Sequence, residues 1–188
     1  MPQNSGRILI IVGDQGTRGP SGINHNVGRN LERVADTKQQ ELEAQGYTVI
    51  VKRASSFEDF NNLLQNNGIL SGVEYIGHSS NIKIFVGEQG YPGSNIDHSN
   101  IPLLSNSNLS ANAYIKLNGC NVGNGGHNSI GQWLSNQLGR TVYAFDGPSR
   151  FYGRPDAVRG SGGRYPPATG PLYLLEEKGT KMVVFTPY

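Results

Sequence analysis

The stretch RILIIVG (7–13) is apolar from its second residue to its sixth and ends at a glycine, which Asp14 follows. A strand that is apolar at every position is typical of a parallel sheet covered on both faces. Similar strand patterns recur at 47–53, 70–77, 113–119 and 140–147, and helical patterns lie between them at 27–45, 55–67 and 126–139. This alternation predicts an α/β fold with an open, mostly parallel sheet and helices on both faces.

The 188-residue chain suits one domain, 1–188, with its core at about 7–147. Residues 146–170 form a Gly-, Pro- and Arg-rich run, which predicts a long loop of the kind that is usually functional or disordered. The tail 171–188 has two apolar runs around a short polar turn, a pattern that predicts a C-terminal β-hairpin. The segment IKIFVG (82–87) predicts an edge hairpin with the chain around Tyr91.

The composition excludes several classes of partner and cofactor. The net charge is +2, so no strong field favours nucleic acid or an anionic membrane, and no apolar run is long enough to span a bilayer. The single cysteine excludes an internal disulfide, and the four histidines show no metal-ligand spacing. We therefore expect no metal and no organic cofactor.

The N-terminal apolar run ILIIV (8–12) is too short for a secretory signal peptide. The expected location is accordingly the cytoplasm, or a target cell that receives the chain as part of a larger effector.

Polar side chains follow four of the predicted strands where each strand ends: Asp14, His78, Cys120 and Asp146. In open α/β sheets the ligand crevice lies outside the carboxyl ends of the strands. The pattern therefore predicts a functional site at this edge of the sheet.

The phrases YIGHSS (75–80) and LNGCNVG (117–123) place His78 and Cys120 directly after two strand-closing glycines. A cysteine nucleophile needs thiolate character and a base or cation nearby, which a histidine can supply. The helix predicted at 126–139 would add a stabilising N-terminus close to the thiol. The plain alternative is a structural histidine and a buried thiol, since free cysteines are often simple core residues.

These two phrases, 42 residues apart, resemble the caspase-like cysteine peptidases, a superfamily that includes caspases, metacaspases, gingipain-type enzymes, separase-like modules and self-processing toxin protease domains. The sequence NGCNVG differs from the caspase signature Q-A-C-x-G and is closer to bacterial members. The resemblance implies a caspase-like or flavodoxin-like sheet and a peptidase with Cys120 as nucleophile and His78 as general acid and base. It further implies that the backbone N–H groups of Ser79 and Cys120 bind the oxyanion.

The resemblance also implies a substrate pocket formed by Asp14, Asn118 and Asp146. Two carboxylates there would favour Arg or Lys before the scissile bond, through charge-assisted hydrogen bonds. The alternative is structural: Asp14 caps its loop and Asp146 starts the turn DGPS (146–149).

The expected partner is a protein or peptide substrate, and the expected setting is a bacterial toxin or effector. Four arginines lie in the run 146–170, at positions 150, 154, 159 and 164. They have three interpretations: a solvated loop, a site of self-processing, or a site for an anionic small-molecule activator. The third follows from the resemblance, because inositol hexakisphosphate activates some toxin protease domains of this superfamily.

Two other functions stay open from the sequence. The first is a non-catalytic binding or scaffold module on the same fold, since a fold does not determine a function. The second is a nucleotide-binding, flavodoxin-like domain that uses GDQGTRGPSG (13–22) as its phosphate loop, although this segment lacks both standard glycine-rich signatures.

Overall fold

The computed structural model describes residues 6–13, 27–87, 92–152, 170–176 and 179–188. The strands are β1 (Arg7–Gly13), β2 (Thr48–Ala54), β3 (Leu70–Ile76), β4 (His78–Ser79), β5 (Lys83–Phe85), β6 (Asn95–Asp97), β7 (Leu109–Asn118), β8 (Thr141–Phe145), β9 (Ser149–Tyr152), β10 (Tyr173–Glu176) and β11 (Met182–Phe185). The helices are α1 (Val27–Ala44), α2 (Phe57–Gln65) and α3 (Ile130–Leu138), and short 3₁₀ turns lie at Ile101–Leu103 and Gly126–Asn128.

The main sheet has six strands in the order β11-β8-β7-β3-β1-β2. All neighbouring pairs are parallel except β11 with β8. Its parallel part follows the doubly wound, flavodoxin-like strand order, with the reversal of direction between β1 and β3. The predicted α/β fold with an open, mostly parallel sheet is confirmed.

Side chains alternate across β1, and each face of the sheet is covered. Ile8 and Ile10 pack with residues of α1, whereas Leu9 and Ile11 join the opposite cluster, which contains the apolar faces of α2 and α3. All four side chains are fully buried. Burial on both faces explains why this strand shows no alternation of apolar and polar residues.

The helix α3 begins four residues later than predicted. Ser129 caps it by accepting a hydrogen bond from the N–H of Gln132 (3.4 Å), and the preceding residues Gly126–Asn128 form the 3₁₀ turn. The helix ends at Gly139, whose φ of 63° is readily adopted by glycine.

A small antiparallel sheet, β4-β5-β6, stands directly after β3. The expected edge hairpin is only partly correct, because β5 pairs on one side with His78–Ser79 and on the other with Asn95–Asp97. Tyr91 lies outside the described residues. This small sheet carries the predicted histidine away from the end of β3.

The predicted C-terminal hairpin is wrong. Strand β10 pairs with β9, and β11 pairs with β8 at the edge of the main sheet. Strand β11 completes the backbone hydrogen bonding of β8, which would otherwise be an open edge. Strand β9 lies within the run 146–170 that the sequence assigned to a loop; residues 153–169 are outside the described part of the chain.

None of the described helices is long and apolar enough to cross a membrane.

The placement of β11 predicts unequal effects for two neighbouring residues. The Phe185 side chain is 7% exposed and lies against Gly131 of α3, whereas Val184 is 56% exposed. Replacing Phe185 with alanine should lower the free energy of unfolding by about 3 kcal/mol, because it removes a buried aromatic ring. The matched change Val184→Ala should alter it by less than about 0.5 kcal/mol. Urea denaturation measures both, and equal small effects would contradict the docking of β11.

Candidate active site

His78 and Cys120 follow the carboxyl ends of two adjacent strands at the same level of the sheet. Gly72 of β3 pairs with Tyr114 of β7, and Ile76 pairs with Asn118, so the offset is 42 residues from the register shift before Gly72 to the end of β3. The same offset separates His78 from Cys120. The parallel register therefore brings both residues to one position on the edge that the sequence predicted.

Two glycines allow the segments after β3 and β7 to approach closely. The N–H of Gly77 donates to the carbonyl of Asn118 (3.3 Å), and the hydroxyl of Ser79 donates to the carbonyl of Cys120 (2.8 Å). A Cβ at Gly119 would clash with the Ser79 side chain and lie 2.9 Å from the Gly77 carbonyl oxygen. The glycine before the cysteine is therefore a steric requirement of this junction.

A buried tyrosine determines the path of the chain at His78. The Tyr75 hydroxyl lies within hydrogen-bonding distance of the carbonyls of His78 (3.1 Å) and Phe85 (2.6 Å), so it ties the histidine backbone to β5. Tyr75 is fully buried, and burial raises the pKa of its hydroxyl far above the ordinary value. The hydroxyl therefore stays protonated and acts as a hydrogen-bond donor at all physiological pH values.

The imidazole of His78 stands at the edge of the site with one side open to solvent. Protein atoms crowd it enough that desolvation lowers its pKa from the ordinary value of 6.5. The neutral imidazole, which can accept a proton, is therefore favoured at neutral pH. Within the described part of the chain the sulfur of Cys120 makes its hydrogen bonds to Ser149 and none to the His78 ring.

The thiol of Cys120 contacts a residue that the sequence analysis did not select. Its Sγ lies 3.6 Å from the carbonyl oxygen of Ser149 and 3.5 Å from the Ser149 hydroxyl, and the N–H of Ser149 donates to it (3.4 Å). The carbonyl can accept the proton of the thiol, whereas the N–H and the hydroxyl can stabilise a thiolate. Ser149 thus provides contacts for both protonation states of the sulfur.

The resemblance implies two backbone donors, the N–H groups of Ser79 and Cys120. The N–H of Ser80 donates to the carbonyl of Lys83 (2.8 Å). Successive N–H groups of an antiparallel strand point alternately toward its partner and away from it, so the N–H of Ser79 points away from β5. The N–H of Cys120 donates to no acceptor among the described residues. Both groups that the resemblance assigned to an oxyanion are therefore suitable donors.

Contrary to the prediction from the sequence, helix α3 does not direct its first N–H groups at the thiol of Cys120. The first N–H groups of α3 donate elsewhere: Ile130 to the carbonyl of Asn81 (2.8 Å), Gly131 to that of Val122 (3.3 Å) and Gln132 to Ser129. Turns at 120–125 separate the cysteine from α3. The helix therefore contributes no free donor to the sulfur, and this expectation was wrong.

A cleft runs along the α1 face of the sheet below the site. It has a volume of about 180 Å³, and Asn118, two residues before Cys120, lies in its lining. The Nδ2 of Asn118 donates to Oε2 of Glu74 (3.2 Å), and the Tyr114 hydroxyl donates to Oε1 (3.1 Å). Leu172 of the segment before β10 lines the opposite wall. Asn118 therefore lines a cleft that contains two carboxylates, the buried Glu74 of β3 and the partly exposed Glu41 of α1.

The other predicted pocket residues lie elsewhere or outside the described residues. The Asp146 carboxylate accepts a hydrogen bond from the N–H of Lys181 (2.7 Å), and its own N–H donates to the Lys181 carbonyl (3.0 Å), so it joins the ends of β8 and β11. Asp146 does not line the cleft with Asn118. Asp14 lies outside the described residues, as do three of the four arginines of the 146–170 run.

The remaining described histidines have aromatic partners. The His98 ring packs edge-on against Trp133 (centroids 4.9 Å apart), and the His127 ring packs against Tyr188 (5.7 Å). His25 lies outside the described residues. No group of three or more His, Cys, Asp or Glu residues in the described chain has the geometry of a metal site.

No protein-family model matches the chain, and no curated protein is significantly similar to it. The likeness to caspase-like peptidases remains an interpretation of two motifs.

Three contributors were missed from the sequence: Tyr75, Ser149 and Glu74. Glu74 had a visible signal, since it is a charged residue within the apolar run of β3. Tyr75 looked like any core aromatic residue. Ser149 was hidden in a Gly- and Pro-rich run, and only the pairing of β9 with β10 brings it to the sulfur.

Replacing Tyr75 with phenylalanine should lower the free energy of unfolding by about 1 kcal/mol, because it removes the buried hydroxyl that lies between the carbonyls of His78 and Phe85 and donates its one proton there. The control Tyr143→Phe removes a hydroxyl that bonds to no described residue and should have an effect below about 0.5 kcal/mol. Urea denaturation compares the two, and NMR should show the His78 signals shifted only in the first. A Tyr75→Phe variant whose free energy of unfolding equals that of the wild type would contradict the bridging role of this hydroxyl.

The lowered pKa of His78 predicts a stability that decreases in acid. The unfolded chain takes up the proton near pH 6.5, whereas the folded chain takes it up only at lower pH, so protonation favours unfolding as pH falls below 6.5. A His78→Asn variant lacks this contribution. Urea denaturation at about pH 8 and about pH 5.5 should therefore show a larger loss for the wild type than for the variant. An NMR titration of His78 at or above 6.5 would refute the assignment.

Proposed function

We propose that this protein is a cysteine endopeptidase in which Cys120 is the nucleophile and His78 the general acid and base. The observation that carries the proposal is the shared register of the two residues, together with the Ser79–Cys120 hydrogen bond (2.8 Å) that joins their segments. Two strand ends are thus locked together with one nucleophile and one base on them. A structural role for either side chain does not require this pairing.

The surroundings of the sulfur suit acyl transfer. The neutral imidazole of His78 takes the thiol proton, and the thiolate attacks the carbonyl carbon of the scissile peptide bond. The negative charge that develops on the carbonyl oxygen is met by the N–H groups of Ser79 and Cys120. The imidazolium then gives its proton to the leaving amine, and water hydrolyses the thioester to release the acid.

Ser149 supports the same sequence of steps. In the resting protein its carbonyl accepts the thiol proton weakly at 3.6 Å, and this contact is lost when the sulfur is deprotonated. The N–H and hydroxyl of Ser149 then face a thiolate, for which they are better partners than for a thiol. Ser149 is a positioning residue in this scheme, since it acts on the sulfur and not on the substrate.

The biological setting of the proposal follows from the resemblance described above. A protein or peptide substrate, a bacterial toxin or effector as the host protein, and activity in the cytoplasm or in a target cell are all parts of it. Self-processing and activation by an anionic small molecule concern the arginine-rich run, most of which lies outside the described residues.

The test compares wild type, Cys120→Ala and His78→Ala after incubation with a denatured proteome, with new N-termini read by mass spectrometry. We expect cleavage by the wild type and its complete loss in Cys120→Ala. His78→Ala should lose about two to four orders of magnitude in rate, the usual contribution of a general acid–base group. Val184→Ala serves as the matched control, because it is exposed and distant in sequence from both motifs.

Each result has one meaning. Cleavage that survives in Cys120→Ala would overturn the proposal. Absence of any cleavage by the wild type, also after addition of inositol hexakisphosphate, would instead favour the non-catalytic binding module. Nucleotides or flavins that raise the melting temperature would favour the flavodoxin-like alternative.

A further inference from the structure

The cleft below the candidate site contains a buried carboxylate. Glu74 is only 1% exposed, and its two hydrogen bonds come from neutral donors, the hydroxyl of Tyr114 and the amide of Asn118. Within the described part of the chain no Lys, Arg or His nitrogen lies within ion-pair distance of this carboxylate. Burial and the adjacent Glu74 charge both raise the pKa of the Tyr114 hydroxyl, so this partner stays protonated and neutral.

When all hydrogen-bond donors to a buried carboxylate are neutral, they offset only part of the free-energy cost of removing its charge from water. Removing a carboxylate from water costs several kcal/mol, and a cationic partner with good hydrogen bonds recovers much more of this cost than neutral donors do. The cleft therefore offers a site for a positively charged group brought by a ligand. An ammonium or guanidinium group would complete the coordination of the carboxylate.

The cleft can hold such a group together with its aliphatic stem. Its volume of about 180 Å³ exceeds the roughly 150 Å³ of a protein cavity that takes up benzene. Val34 of α1, Ile76 of β3 and Leu172 provide apolar walls on three sides. Apolar walls that lead to a carboxylate match a long side chain with a charged end.

Two lysines line the cleft, and neither forms an ion pair with the Glu74 carboxylate. Lys38 of α1 pairs with Glu41 (3.4 Å) one turn further along the same helix. Lys116 is the register neighbour of Glu74 on β7, and its Nζ is not within ion-pair distance of the carboxylate. Among the described residues, neither lysine of the cleft therefore forms an ion pair with Glu74.

The cleft lies within reach of the sulfur. Asn118 lines it and precedes Cys120 by two residues, which corresponds to about 7 Å along an extended chain. The opposite wall belongs to β10, which pairs with β9, and the first residue of β9 is the Ser149 that contacts the sulfur. A substrate residue attached to Cys120 can therefore place its side chain in the cleft.

We propose that Glu74 is the specificity-determining residue of the candidate peptidase and that the cleft takes the Arg or Lys side chain of the residue whose carbonyl Cys120 attacks. The inference rests on the proposed function for its substrate and on the buried Glu74 carboxylate for its charge selectivity. The second carboxylate that lines the cleft, Glu41, is partly exposed and already pairs with Lys38. It assigns to β3 the carboxylate that the sequence analysis sought at Asp14 and Asp146.

The first test measures binding without catalysis, in a Cys120→Ala background. Agmatine carries the guanidinium and stem of arginine, and N-(4-aminobutyl)urea differs from it only in having a neutral urea in place of the guanidinium. NMR titration should show agmatine binding in preference to N-(4-aminobutyl)urea, and Glu74→Gln should weaken agmatine binding by about tenfold or more. The matched control Glu43→Gln changes an exposed carboxylate of α1 outside the cleft and should leave binding unchanged.

A second readout requires no substitution at Glu74. In protein labelled with ¹³C at the glutamate carboxyl carbons, agmatine should shift the Glu74 signal and leave that of Glu43 in place. This measurement decides the matter even where Glu74→Gln fails to fold. Equal binding of agmatine and N-(4-aminobutyl)urea, or an unmoved Glu74 signal, would overturn the inference.

The third test uses peptide substrates that differ only in arginine or citrulline before the scissile bond. The ratio of their kcat/KM values should favour arginine in the wild type and fall by about tenfold in Glu74→Gln. Cleavage that depends on Cys120 but shows no preference for arginine would reject the inference and keep the proposed function. Binding of agmatine that depends on Glu74, without any cleavage that depends on Cys120, would support the cation site and reject the peptidase.

Discussion

The close approach of the chain segments after β3 and β7 is the constraint on which the candidate site depends. The segments meet through the Ser79–Cys120 hydrogen bond and the Gly77–Asn118 hydrogen bond, and Gly119 leaves the space that the Ser79 side chain fills. A parallel pair alone would bring the two strand ends near each other but would not bind the following residues together. The added bonds convert two adjacent strand ends into one rigid edge.

Two groups of neighbouring elements hold that edge in place. Tyr75 anchors His78 through its backbone carbonyl, and the small sheet β4-β5-β6 holds the same segment in an extended path. On the other side, β9 and β10 place Ser149 at the sulfur and form one wall of the cleft that contains Glu74. The Cys120 sulfur, the Ser79 backbone and the Glu74 carboxylate thus belong to different elements, and their arrangement exists only when all of these elements are packed.

Much of the fold was predictable because its signals are local. The apolar run of β1, the cap at Ser56 of α2 and the glycine at the end of α3 each specify an element from its own residues. The wrong C-terminal hairpin has a simple cause, since the sequence pattern of a strand does not identify the strand with which it pairs. The runs at 173–176 and 182–185 have the signature of a hairpin, but each pairs with another strand, because the edge of β8 and strand β9 offer better partners.

The sequence by itself determined the α/β class, the positions of most strands and helices, and the presence of a histidine and a cysteine at matching strand ends. These properties depend on periodicity and on residues that are near each other in the chain. Only the tertiary structure decided that Ser149 contacts the sulfur, that α3 turns its first N–H groups elsewhere, and that the carboxylate of the cleft is Glu74. Each of these is a contact between distant segments, and side-chain packing, which no local pattern encodes, selects it.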